Sequence, residues 1–393
     1  YYAGLASCLI FSIAYVIAHI SVYLRLPLGF SPLLALAIVF CIYKFHLQRT
    51  RSFIISIVSI IIFTLISAFF YDLSSDGRVH FMEEILQIAN GYVPGDTFPV
   101  DPGWWGTPWA SGYPLGQQIY NAAVYCFTGS LQSAKSITLI LLFAAVTMSY
   151  PFFYNATRGP KTSLLLAVLV VCNPVVLGHL FSFYIDGDIY LLFLCALCSL
   201  AYMHEDGQNT LNLFFVILAM CIFPSIKMSG IAFSLLILPF LAVSKHTIKR
   251  SAILLLFLLP CILCLLYHPY LHVSIADQLG LIKLGANPPA HGLHEFSVLR
   301  YIQNLFSTPT PAYRRVGFAF NPFEGELRHT SSFGLYGISY AALLLLCLYV
   351  LIKNKKIDKT VLYFLFISIA VPMLYPSFIN QRYYPIPYLL VFF

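Results

Sequence analysis

The stretch SFIISIVSIIIFTLISAFFYDLSSDGRVHFMEEI, residues 52–85, changes character at a single point. Up to Phe70 it holds no charged side chain; residues 71–85 then bring two aspartates, an arginine, a histidine and two glutamates. A helix needs about 17–25 predominantly apolar residues to cross a bilayer, and the first part supplies them. The second part therefore predicts ionisable chemistry at the mouth of a membrane span.

Working outward, runs of the same kind recur near residues 4–24, 30–46, 52–70, 136–154, 162–182, 188–203, 210–225, 229–244, 250–268, 334–352, 360–376 and from 384 onward. The 393 residues are 60% hydrophobic and 9% charged, against roughly 25% charged in soluble domains. A membrane barrel would instead alternate apolar and polar positions in segments of about ten residues. The expected fold class is an all-α polytopic membrane protein of about 12 transmembrane helices. A single transmembrane domain is expected to cover residues 1–393. The chain opens on Tyr1 and its last run, YPIPYLLVFF, is still apolar where it stops, which predicts a piece of a longer polypeptide. The ten cysteines lie almost all in apolar runs, Cys195 and Cys198 among them, and read as small hydrophobes.

Every second connection is short and basic: KFHLQRTR, NATRGPK, SKHTIKR and KNKKIDK. Positively charged loops mark the cytoplasmic side. HEDGQN shares that side without a Lys or Arg, and of the 15 acidic residues only Glu205, Asp206 and Asp358 fall there. The chemistry is expected outside. Two long segments face that way, residues 71–135 and 269–333; both exceed the length of an ordinary structureless connection, so they are expected to form a folded cap. Within the first, GRVHFMEEILQIANGYVP sets Val79, Phe81, Met82, Ile85 and Ile88 on one helix face and His80, Glu83, Glu84 and Gln87 on the other, the pattern of an amphipathic helix lying in the interface. YPLGQQIYNAAVYCFTG, opened by Pro114 and closed by Gly129, predicts a second, and the three tryptophans of DPGWWGTPWASGYP suit an interfacial aromatic belt.

Asp72 and Asp76 stand four apart, so they share a face if the span's helix continues and line one turn if it breaks. Two such carboxylates can act as a general base on a hydroxyl or hold a divalent cation against a phosphate; the alternative is helix capping. FYIDGDIY places Asp186 and Asp188 in a short turn on the same face. Lys227, bracketed by Pro224 and Gly230, either snorkels or meets an anionic headgroup. Arg382, among tyrosines and prolines, has the planar fork that suits phosphate or anchors at the headgroups. Arg78, His80 and Glu83 complete the expected substrate contacts. Arg300, Arg314, Arg315 and Arg328 add cations in the later loop. His291 and His294, at i and i+3 with Glu295 beside them, read either as a site or, more simply, as solvent-facing loop residues; their spacing matches no metal motif, and no metal ligand set is expected. Nucleotide-binding loops and a nucleophile elbow are missing from the sequence, which argues against a nucleotide-driven motor.

With these residues in place, the chain resembles the GT-C superfamily of membrane glycosyltransferases. The stations that carry the resemblance are YDLSSDGRVHFMEEILQIANGYVP, YPLGQQIYNAAVYCFTGSLQSAKS, FYIDGD, SIKMSG, HPYL and QRYYP, in that order between about residues 70 and 385. The resemblance implies transfer of a sugar from a polyprenyl-phosphate-linked donor to a glycan or lipid acceptor, among membrane lipids and without nucleic acid, on the periplasmic face of a bacterial inner membrane. Asp72 or Asp76 would then be the base or bind a divalent cation, the one cofactor implied, and Lys227 and Arg382 would hold the carrier's phosphate. Three spans precede the acidic loop here, where the superfamily usually has one. A lipid-linked polysaccharide polymerase or ligase, built on cations such as Arg314 and Arg315, stays open as an alternative. A transporter or flippase of lipid-linked saccharide is disfavoured, because the predicted spans carry no Asp or Glu away from their ends.

Overall fold

A computed structural model describes residues 1–44, 50–72, 74, 77–94, 114–172, 176–177, 179–206, 210–227, 230, 233–234 and 237. The chain divides into two compact units, one of Tyr1–Asp72, Asp76–Val171 and His179–Ala286, the other of Leu73–Ser75, Cys172–Gly178 and Asn287–Phe393. All the helices described below belong to the first. The expected spans beyond residue 238, the loop 269–333 and the tryptophan segment lie outside the described residues, as do Asp76 and Arg382.

Among the described residues the secondary structure is helical: α1 Tyr2–Tyr23, α2 Ser31–Lys44, α3 Thr50–Phe69, α4 Met82–Ala89, α5 Gly116–Thr128, α6 Ile137–Thr157, α7 Pro160–Val171, α8 Asp186–Asp206 and α9 Thr210–Ile226. A π-helical turn, Gly77–Phe81, leads into α4, and a 3-10 turn, Gln132–Ser136, leads into α6. Four stretches among the described residues are long and apolar enough to cross a membrane: Tyr2–Tyr23, Thr50–Phe69, Gln132–Asn155 and Asp186–Met203. The run expected over 162–182 gives a shorter helix, α7, because the chain has left helical geometry at Cys172 and turns again near His179–Ser182.

Apolar composition alone does not say which helix is central, since every run is hydrophobic all round. The packing does. α1 touches α2, α3, α5, α6 and α9, and α8 packs between α6 and α9. α3, by contrast, keeps Ile54, Ile55, Val58, Ile61, Ile62 and Leu65 exposed. A helix that stays apolar where it is exposed is built to face lipid rather than water. Cys195 and Cys198 are buried and form no disulfide, as small hydrophobes should.

Glycine sets the close crossings. At Gly116, the first residue of α5, a Cβ would strike the Tyr15 hydroxyl and the backbone carbonyl of Ser225, so α5 is wedged against α1 and α9. Gly129 ends α5 at φ 70°, its N–H donating to the Tyr125 carbonyl at 2.8 Å, a left-handed cap that glycine adopts without strain. Pro224 lies inside α9 and has no N–H for the carbonyl four residues back, that of Met220. The Ser234 hydroxyl donates to that carbonyl at 2.9 Å, so the buried acceptor is satisfied from the following segment.

Candidate functional site

Two pairs of opposite charge, Asp72 with Lys135 and Asp186 with Lys227, stand at one end of the helices, linked by the short segment from Phe183 to Asp186. α3 stops at Phe69, and Asp72 stands just beyond it in non-helical backbone, 1% exposed. The helix therefore does not continue, and the helical sharing of a face between Asp72 and position 76 does not arise. Asp72 accepts the backbone N–H of Phe183 on Oδ2 at 2.8 Å, and its own N–H donates to Gln132 Oε1 at 3.0 Å. These two bonds tie the end of α3 to the turn before α6 and to the approach to α8.

Lys135 completes this knot. It is fully buried, and its Nζ donates to the Phe70 carbonyl and to Gln132 Oε1. It also lies 5.9 Å from the centre of the Phe183 ring and within electrostatic reach of Asp72. A buried ammonium is tolerated only with partners of this kind. Sequence reading passed over Lys135 because it stands alone between a polar loop and an apolar run. The available signal was its pairing with Gln132 at i, i+3, the spacing at which helical side chains meet.

Lys227, just after α9, forms an ion pair with Asp186, the first residue of α8. The lysine expected to snorkel or to meet a headgroup is thus engaged by an aspartate 41 positions away in sequence. Asp188 is 2% exposed, with Thr138 and Tyr120 as neighbours. Its Oδ1 has no hydrogen-bond partner among the described residues; the same holds for Gln117, Gln118 Oε1 and Asn121 Oδ1 of α5, all buried. Burial, and after it the Asp188 carboxylate, hold the Tyr120 hydroxyl above its ordinary pKa.

The other expected contacts are dispersed. Arg78 is exposed. Glu83 is half-buried and accepts from Gln87 Nε2 at 2.6 Å. His80 and Glu84 correct the assignment of faces: both turn inward, Glu84 fully buried, with Nδ1 of His80 3.1 Å from Glu84 Oε1. The apolar residues Met82, Ile85 and Ile88 are buried as expected, so α4 is covered on more than one side. α5 departs further from an interfacial helix, since Gly116–Val124 are buried without interruption, its amides included.

No group of three or more His, Cys, Asp or Glu side chains comes together among the described residues. Lys135 faces Asp72 and Lys227 is bonded to Asp186, so these two acids are already balanced by ammonium groups. That arrangement does not fit the oxygen shell a divalent cation requires. No protein-family model matches the chain, and no curated protein or solved structure matches it.

Proposed function

We propose that the protein is a membrane glycosyltransferase of the GT-C type, moving a sugar from a polyprenyl-phosphate carrier to a glycan or lipid acceptor. The observation that carries this reading is the placement of two buried acid–ammonium pairs, Asp72 with Lys135 and Asp186 with Lys227, at one end of an apolar helix bundle. The reaction needs few groups. One carboxylate takes the proton of the acceptor hydroxyl as its oxygen bonds to the anomeric carbon, while the bond from that carbon to the carrier's phosphate breaks. Ammonium groups receive the charge that develops on the departing phosphate. Asp72, oriented by the Phe183 N–H and with Lys135 beside it, is assigned the base. Lys227 is assigned the phosphate, which would exchange for Asp186 on arrival.

Orientation follows from the basic loops. Lys44, Arg51, Arg158 and Lys161 lie at the opposite ends of the helices from these acids, so the positive-inside rule favours a site on the side away from the cytoplasm, which the resemblance to the GT-C superfamily makes the periplasm of a bacterial inner membrane. That favours a lipid-borne donor over a cytoplasmic nucleotide sugar. A transporter would concentrate ionisable groups near mid-depth, whereas those described here stand in or beside the first and last turns. The test is transfer of labelled sugar from polyprenyl-phosphate donors by the purified chain. Asp72→Asn is expected to lower the rate at least about 100-fold at equal folded yield, with Asp72→Glu losing less. Undiminished transfer in Asp72→Asn would remove Asp72 as the base, and no transfer from any such donor by the unaltered chain would end the transferase reading.

A further inference from the structure

The two acid–ammonium pairs are held in different ways. Lys227 is bonded directly to the Asp186 carboxylate. Lys135 donates to two neutral oxygens, the Phe70 carbonyl and Gln132 Oε1, and the Asp72 carboxylate acts on it as a nearby charge. The same Oε1 accepts the backbone N–H of Asp72 at 3.0 Å. One neutral oxygen therefore touches both the residue that carries the acid and the ammonium beside it.

The Gln132 amide fits its surroundings one way round. Both groups at its oxygen are donors, so the carbonyl faces them and the Nε2 donor points elsewhere. Nε2 lies 3.8 Å from the sulfur of Met82, a weak acceptor that opens α4. One side chain thus fastens the end of α3, the turn before α6 and the start of α4. Asp72 and Lys135 are both buried. A direct bond between them would tie the carboxylate to the ammonium, and a base needs its carboxylate for the acceptor's proton. A neutral carbonyl holds the ammonium without engaging the acid.

We infer that Gln132 is a positioning residue of the proposed site, a neutral spacer that holds Lys135 beside Asp72 without letting the two close into an ion pair. The inference rests on Asp72 acting as the base. Gln132→Glu separates this role from a structural one. A carboxylate of the same length still accepts the Asp72 N–H and the Lys135 ammonium, so a Gln132 that only braces the fold would be replaced without loss. A spacer would fail, because the new charge pairs with Lys135 and stands near Asp72 as a like charge, which favours the protonated acid. The test uses the full purified chain and polyprenyl-phosphate-linked sugar donors. For Gln132→Glu, kcat is expected to fall at least about tenfold while KM for the donor changes less than about twofold, and the acidic limb of the pH–rate profile should move to higher pH. Its Tm should not fall. Gln132→Met leaves Lys135 with the Phe70 carbonyl alone and should lower Tm, and adding Lys135→Met should restore most of that loss. Full-rate transfer by Gln132→Glu with an unmoved pH profile would overturn the inference, as would Tm losses for Gln132→Met and Lys135→Met that simply add. No transfer from any donor by the unaltered chain would end the transferase reading and the positioning role with it, an outcome distinct from the failure of either variant comparison.

Discussion

The two ends of the helix bundle solve the same problem differently. At one end, Asp72, Lys135, Asp186, Asp188 and Lys227 bring charge into a buried setting, tied by the Phe183 N–H, the Gln132 amide and the Asp186–Lys227 pair. At the other, Lys44, Arg51, Arg158 and Lys161 stay exposed and neutral groups join the helices. Tyr1 donates to Asn212 Oδ1 at 2.7 Å and stacks on Tyr202 with ring centres 4.1 Å apart, Tyr43 donates to the Tyr2 carbonyl at 3.2 Å, and the Tyr2 and Tyr202 hydroxyls lie 3.1 Å apart. Hydroxyls and rings suffice to hold helices together. Burying a charge costs several kcal/mol that even a good partner only offsets, so the charged end is a poor way to gain stability and a reasonable way to gain chemistry.

The largest expected effect tests that asymmetry directly. Lys227→Met leaves Asp186 buried without its partner and should cost about 3–5 kcal/mol of unfolding free energy, whereas Asp186→Asn with Lys227→Met should recover most of the loss. Both are read from unfolding in mixed detergent. If the single variant costs no more than a neutral hydrogen bond, the contrast between the ends collapses. Gly116→Ala comes next, at about 1–3 kcal/mol, because the new methyl meets the Ser225 backbone and displaces α5 from α1 and α9. Circular dichroism should show the helices retained while Tm falls. Smallest is Tyr202→Phe among the neutral groups of the other end. It should cost about 0.5–1.5 kcal/mol, and it should leave sugar transfer unchanged, which sharpens the assignment of function to the charged end.

Much of this was legible in the residues. The long apolar runs gave α1, α3, α6 and α8, Gly129 gave the end of α5, and the alternation of basic loops put Asp72 and Asp186 at the same end of the helices. What failed did so for one reason. Amphipathic reading assigns every polar side chain to the outside, which holds for a helix with one covered face. Glu84 and His80 go inside together as a pair, and Gln117, Gln118 and Asn121 go inside on a helix covered on several sides by α1, α4, α9 and the turn before α6. Lys135 was hidden because its partners, the Phe70 carbonyl and Asp72, are set by chain crossing and have no local pattern. Periodicity reports one face at a time; a helix wedged among several neighbours has none to spare.

Pro224 and Ser234 have a historical consequence. Because the proline leaves the Met220 carbonyl to the serine hydroxyl, the two positions cannot change in either order. Losing Ser234 first strands a buried acceptor, at about 1–3 kcal/mol; replacing Pro224 by Ala first restores the helical N–H and makes the serine dispensable. An evolving lineage could therefore complete the hydrogen-bond ladder of α9 by one route only, through Pro224, three residues before Lys227.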